Sequence, residues 1–262
     1  MAALRAEFER PRTTDGDPEA QRALARGMRA SGGAGRRRRL LARTRFFDQA
    51  VLDALGAGID QVVIVGAGYD DRALRFRAPG VTFFELDHPA TQADKRRRLR
   101  GRDGGPVLAA LDLRSGGAGR VLAAAGHVAG RPSLFVCEGL LVYLDREAIE
   151  RLLRELAARA SENSLLAASL ATHPPRLDSA AVAARANGRR RFGASEPWLT
   201  ILPVAGWLAL LRAAGWREER MVDPPDLVPG APAGRSALVL ARPAGASRPA
   251  GPAAPVGPAE AA

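Results

Sequence analysis

The sequence predicts an α/β fold built on a doubly wound, mostly parallel sheet with an antiparallel edge strand. Three observations predict it. From residue 61 onward, short and nearly continuous apolar runs alternate with amphipathic stretches, as expected of parallel strands covered on both faces. The first of these runs ends in a glycine-rich turn, and acidic residues close the next three.

The first 60 residues carry no strand signal and read as a helical cap. Leu40, Leu41, Phe46, Phe47, Ala50, Val51, Ala54 and Leu55 make a helical stripe that Gly56 and Gly58 terminate. Ahead of it, Ser31 to Gly35 is a glycine-rich break, and the run Arg36 to Arg39 reads as a solvated turn.

Strands are expected at Val62–Val65, Val81–Leu86, Val107–Leu111, Leu134–Cys137 and Leu165–Leu170. The helices between them are Asp71–Phe76, Pro89–Leu99, a short one around Val121–Ala125, and Arg146–Ala160. The last has the clearest pattern. Asp145 is its N-cap, Ile149, Leu152, Leu153, Leu156 and Ala160 share one face, and Glu147/Arg151 and Glu150/Arg154 pair across a turn.

Residues 172–197 are polar, arginine-rich and longer than an ordinary connection, which predicts a lid or substrate loop inserted into the 61–242 domain. A helix around Ile201–Ala214 and strands at Glu218–Val222 and Ala237–Ala241 complete that domain. Residues 243–262 are an Ala/Pro/Gly-rich tail, expected to be disordered.

Composition excludes several classes. A chain of 262 residues with 47% hydrophobic and 26% charged residues buries a real core, so neither wholesale disorder nor a multi-span membrane protein is expected. The formal charge of +11 comes from arginine, since Lys95 is the one lysine; in an Ala-, Gly- and Pro-rich chain this bias does not identify a polyanionic partner. Aromatic residues are 5%, too few for base-stacking platforms, and no nucleic-acid partner is expected.

Cys137, the single cysteine, allows no internal disulfide and no cysteine-rich zinc site, and no metal is expected. The amino terminus has no secretory pattern. The longest apolar stretch, Trp198 to Leu211, contains Pro203 and is shorter than the roughly 20 residues a spanning helix needs. A cytoplasmic location without membrane attachment is expected.

Chemistry concentrates at the carboxyl ends of the strands. In VVIVGAGYDDR (62–72), Gly66-Ala67-Gly68 lets backbone approach a ligand closely, because glycine has no side chain to block contact. Asp87 follows Gly66 by 21 positions, the spacing at which an acidic residue meets ribose hydroxyls; a cap for the helix that begins at Pro89 is the other reading, and the two are compatible. A dinucleotide site usually has glycine or alanine at the place of Asp71. Two carboxylates, Asp70 and Asp71, in that turn would repel a pyrophosphate and tolerate a sulfonium with an amino group, as in S-adenosylmethionine. Asp112 can accept the amine of an adenine whose ring packs on Leu113, and Glu138 ends the central fourth strand facing the crevice.

Together, ARTRFFDQAVL (42–52), VVIVGAGYDDRALR (62–75), FELDHPATQADKRRRL (84–99), ALDLR (110–114) and EGLLVYL (138–144) resemble the leucine carboxyl methyltransferase-like family of S-adenosylmethionine-dependent methyltransferases, in its bacterial branch. The likeness spans roughly residues 40–216, with five blocks in the family's order and spacing. It implies a Rossmann-like sheet of the class I methyltransferase type and a set of cofactor-binding residues. Arg43 pairs with the methionyl carboxylate, Gly66 lines the turn, Asp87 holds the ribose, Asp112 and Leu113 contact adenine, and Glu138 faces the methionyl moiety; Arg45 is a weaker candidate. The chain departs from the family at Asp71, where Thr is common, and in a shorter 172–197 region.

The expected function is O-methylation of a small-molecule acceptor by in-line transfer, with carboxylate favoured over hydroxyl by family analogy. A carboxylate acceptor is ionised at neutral pH and needs no base. A hydroxyl acceptor would call on His88, His127, His173 or Tyr143, none of which has a strong claim, so the sequence assigns no catalytic residue. The alternatives are an NAD-dependent oxidoreductase and a non-catalytic S-adenosylmethionine-binding protein. Cys137 reads as a buried strand residue, and Trp198, Trp207 and Trp216 as core, with Trp198 the one that could instead line an acceptor pocket. Oligomeric state is not legible.

Overall fold

A computed structural model describes residues 1–173 and 198–245. Seven strands form one sheet: β1 (Gln61–Val65), β2 (Thr82–Asp87), β3 (Val107–Ala110), β4 (Ser133–Cys137), β5 (Leu165–Ala171), β6 (Trp216–Val222) and β7 (Ser236–Pro243). Their order is β3-β2-β1-β4-β5-β7-β6. Strands β1 to β5 pair in parallel, while β7 runs antiparallel to both β5 and β6. The antiparallel strand thus lies one place inside the edge, and β6 is outermost. Strand order reverses between β1 and β4, which opens a crevice at their carboxyl ends.

Nine α-helices are described: α1 (Ala2–Arg5), α2 (Ala20–Leu24), α3 (Ala34–Gly56), α4 (Arg72–Arg75), α5 (Pro89–Arg98), α6 (Ala118–Ala124), α7 (Arg146–Ala157), α8 (Val204–Ala213) and α9 (Pro224–Leu227). The segment before β1 is less helical than its composition predicts, since residues 6–19 and 25–33 are not in helices. Arg36 to Arg39 form the first turns of α3 rather than a solvated turn. No strand propensity competes there, and arginine is a good helix former.

The alternating strand residues divide between two cores. Val63, Val65, Phe84, Leu86, Phe135, Cys137, Leu166 and Leu170 meet α6, α7 and α8 on one face. Val62, Ile64, Phe83, Leu134, Val136 and Leu238 meet Phe46, Phe47, Ala50, Val51 and Ala54 of α3 on the other. Asp145 caps α7 by accepting from the Ala148 amide at 2.8 Å, and the expected Glu147/Arg151 and Glu150/Arg154 pairs form. Trp207 and Trp216 are fully buried, their indoles donating to the carbonyls of Ala171 and Leu153.

The expected lid falls mostly outside the described residues, as does most of the expected tail. Strand β7 runs through Pro243, so the tail boundary at 243 is too early. No helix among the described residues is long and apolar enough to cross a membrane.

Candidate functional site

A cavity of about 530 Å³ opens at the carboxyl edge, between the β1 turn, the start of α3 and the segments after β4 and β5. Its floor is the Gly66-Ala67-Gly68 turn. Gly66 has φ +66°, and a Cβ there would stand 2.7 Å from Leu140 Cδ1, so both conformation and space require glycine. The Gly68 amide donates to Asp87 Oδ2 at 2.6 Å, which ties the end of β2 to the floor.

Beneath this floor lies a buried network of charges. Glu138 accepts from Arg5 (2.6 Å), Arg43 (3.0 Å) and Arg72 (2.6 Å). Arg72 also binds Asp48 and Asp70, Arg5 reaches Asp70, and Arg10 joins Asp48 to Asp71, which Arg75 holds from its other side. Such groups persist in a low dielectric because each charge has opposed partners. Burial alone would raise the carboxyls of Glu138 and Asp71, but the arginines around them win: Asp71 is lowered, and Glu138 is held well below the usual carboxylate range.

The structure therefore revises one premise of the sequence reading. Asp71 is fully buried and Asp70 nearly so, and four arginines neutralise them, so they do not confront a ligand as free charges. The turn's preference among cofactors does not follow from repulsion by that pair.

Of the six predicted cofactor residues, Arg43, Gly66 and Glu138 line the cavity. Asp87, Asp112 and Leu113 lie outside its lining, at the carboxyl ends of β2 and β3. Asp87 accepts from the Gly68 and His88 amides, and the cap of α5 is His88, whose Nδ1 accepts from the Ala90 amide, not Asp87. Asp112 caps a short 3-10 turn and makes a two-point ion pair with Arg114, which hydrogen bonding to Arg114 reflects in a carboxyl held down to about 2. Leu113 is buried in the core. Arg45 lies outside the cavity lining, with Nη1 3.5 Å from the Leu227 carbonyl.

None of the three histidines lines the cavity. His127 is buried between Arg159 and Ser133, and His173 contacts the Ile201 carbonyl. Cys137 is buried, which pushes its thiol up to about 12. Tyr143 and Trp198 do line the cavity.

The sequence reading missed Arg5, Arg10, Arg72, Arg75 and Asp48. Arg5 and Arg10 carry no local signal, because 38 arginines hide two. Asp48 did carry one: a carboxylate inside the apolar stripe of α3, next to Phe47 and Val51, requires a buried cation, and Arg72 supplies it at 2.8 Å.

Could this site hold the expected cofactor? Arg43 gives only Nε to Glu138, and its side chain is about a quarter exposed, leaving the terminal nitrogens available. Gly139, with φ +64°, makes room for them, since a Cβ there would stand 3.2 Å from Nη1. The network holds five arginines against four carboxylates, so it carries one net positive charge, which favours an anion at the cavity wall that Arg5 and Arg43 line. These features fit an amino-acid carboxylate.

Comparison with known proteins identifies the family and the fold. The profile of a family described as "Leucine carboxyl methyltransferase" matches residues 4–157. A protein of Mycobacterium ulcerans named "Putative S-adenosyl-L-methionine-dependent methyltransferase" is 39% identical over 142 residues, 52% of this chain and 46% of its own. One of the same name from Mycolicibacterium vanbaalenii is 36% identical over 173 residues, 64% of this chain and 52% of its own. The chain thus spans about half the length of the curated relatives it matches. Among solved structures, a protein of Thermobifida fusca titled "putative methyltransferase" superposes with TM-score 0.57 at 17% identity, covering 91% of this chain and 97% of that one. The magnesium protoporphyrin IX methyltransferase of Synechocystis, solved with S-adenosylhomocysteine, gives 0.54 at 13%, covering 86% and 93%. The fold is that of the class I methyltransferases, and by its profile match over more than half its length this chain belongs to the leucine carboxyl methyltransferase family.

Proposed function

We propose that the protein is an S-adenosylmethionine-dependent methyltransferase that esterifies a carboxylate of a small-molecule acceptor. S-adenosylmethionine supplies an electrophilic methyl group on a sulfonium. The chain's own residues supply binding and exclusion of water. Arg43 receives the methionyl carboxylate on its free terminal nitrogens, as a guanidinium fork suits a carboxylate. Gly66 and Gly68 present backbone without side-chain obstruction. Asp87, already fixed by two amides, offers its remaining lone pairs to ribose hydroxyls. Asp112 and Leu113 receive the adenine, which requires Arg114 to release or share Asp112. Glu138 faces the methionyl end chiefly by holding Arg43, Arg5 and Arg72 in place.

One observation favours a carboxylate over a hydroxyl acceptor: the described lining offers neither an imidazole nor a carboxylate free of arginine to serve as a general base, and of the four candidate bases named from the sequence only Tyr143 reaches it. Its carboxylates are Asp70 and Glu138, both engaged by arginines, and the Glu138 carboxyl is held far down; no imidazole reaches the cavity. A carboxylate acceptor is deprotonated at pH 7 and needs only positioning within about 3 to 3.5 Å of the methyl carbon.

The test is transfer of a labelled methyl group to a panel of carboxylic acids and matched alcohols, followed by mild alkali. A methyl ester then releases volatile labelled methanol, and an ether does not. Label that resists alkali would contradict the carboxylate reading while leaving methyl transfer intact.

A further inference from the structure

The cavity continues past Arg43 along a single face of α3. Arg39 and Arg36 stand four and seven residues before Arg43, so they project to the same side, about 6 and 10.5 Å farther along the axis. Arg235, just ahead of β7, closes the same wall.

These three arginines differ from those of the buried network. Among the described residues none of them pairs with a carboxylate, and the only acidic residues lining the cavity, Asp70 and Glu138, are engaged by Arg5, Arg43 and Arg72. The Nε of Arg39 is buried without a hydrogen-bond partner. Burial, then the neighbouring charges of Arg235 and Arg43, disfavour its protonated form. Like charges gathered at one wall, with a donor left unsatisfied, raise the local potential and attract anions.

Resting on the reading of this cavity as the place of methyl transfer, we propose that Arg39 and Arg235, with Arg36 at the rim, form an anion subsite for the acceptor. The acceptor then carries a second anionic group, a carboxylate or a phosphate ester, besides the carboxylate that is methylated. The two are different groups for a physical reason. A carboxylate clamped by guanidinium has its lone pairs engaged and is a poor nucleophile, and Arg39 lies a helical turn beyond the clamp for the methionyl end. Met28, Leu40, Val142 and Trp198 give the space between an apolar lining, which suits a hydrocarbon or aromatic spacer.

The experiment is calorimetric titration of the full chain, saturated with S-adenosylhomocysteine, with suberate, octyl phosphate and 1,8-octanediol. Wild type should bind both anions at least tenfold more tightly than the diol. In Arg39→Gln/Arg235→Gln the anions should fall to the level of the diol, with affinity for S-adenosylhomocysteine unchanged, which also reports that the variant is folded. Arg235→Gln alone, at an exposed position, should weaken the anions at least threefold. Octyl phosphate binding without suberate would assign the subsite to phosphate esters, and the reverse to carboxylates. Equal binding of anions and diol, failure of both anions to bind, or anion affinity indifferent to the double substitution would overturn the proposal. Failure of wild type to take up S-adenosylhomocysteine would instead overturn the parent reading, and is seen before any acceptor probe is added.

Discussion

Arg43 donates through Nε alone to Glu138, and Asp87 accepts from the Gly68 and His88 amides, so each keeps hydrogen-bonding capacity for a ligand. The sequence proposes both as cofactor contacts, Arg43 from its family block and Asp87 from its spacing after Gly66; Arg43 lies on the cavity wall with two nitrogens to spare, and Asp87 lies outside the lining. What the sequence leaves hidden is the reason Arg43 points there. Glu138 anchors it, and Gly139 clears its path. Replacing Asp87 with alanine should weaken S-adenosylmethionine binding at least tenfold, since buried ribose hydroxyls would lose a charged acceptor; calorimetry on a folded variant checks this. Unchanged affinity would remove Asp87 from the site.

Glu85 makes a second residue-scale prediction. It is fully buried on β2, with Lys95 Nζ 2.5 Å from Oε2, while the same ammonium donates to the Asp70 carbonyl at 2.7 Å. Burial outweighs Lys95 and raises the Glu85 carboxyl from its ordinary 4.5 to about 7. A carboxyl raised on folding contributes stability that is complete below about 4.5 and is lost as pH rises through about 7. The stability difference between wild type and Glu85→Gln should therefore be largest near pH 4.5 and shrink toward pH 8 in urea unfolding. A difference that grows with pH would contradict the assignment. Nothing in the sequence distinguishes Glu85 from Asp87, Asp112 and Glu138, because its role depends on Lys95 from the next helix.

At the scale of elements, periodicity located every strand to within about two residues, because an apolar run covered on both faces leaves little latitude. It located the N-terminal segment poorly. Residues 6–19 are held by their arginines more than by apolar contacts: Arg10 bridges Asp48 of α3 and Asp71 ahead of α4. Such pairing depends on three distant parts of the chain and leaves no periodic trace. Asp71→Ala would strand Arg10 and Arg75 without their shared carboxylate, and removal of one member of a buried ionic cluster costs about 3–5 kcal/mol. Denaturant unfolding should show that loss at pH 7, together with faster proteolysis of residues 1–19. A loss under about 1 kcal/mol would mean that the cluster is dispensable.

The junction of α6, α7 and β4 responds to pH in the opposite sense to Glu85. His127 accepts from Arg159 Nε at its Nδ1 and contacts Ser133 Oγ through Nε2. This arrangement suits the neutral ring. Burial first, and then the Arg159 charge, lower it from 6.5 to about 4. A depressed histidine contributes stability that is present above about 6.5 and is lost as pH falls through about 4. The advantage of wild type over His127→Asn should accordingly decline from pH 7 to pH 4. An advantage that is constant or grows on acidification would show that the ring is already charged.

For the whole molecule, the fold class follows from the order of elements, and the position of the site follows from the switch in strand order between β1 and β4. The charge of +11 did not disclose its meaning, because part of the arginine is structural, part lines the cavity and part is exposed. Only three dimensions separate those uses. The β1 turn and Arg43 are proposed to hold the methionyl end of S-adenosylmethionine. A calorimetric titration of wild type and Arg43→Gln with S-adenosylmethionine, with NAD as the control, tests it most directly. Wild type should bind S-adenosylmethionine and ignore NAD, and Arg43→Gln should bind at least tenfold more weakly. Preference for NAD, or affinity for S-adenosylmethionine that survives the loss of the guanidinium, would contradict it.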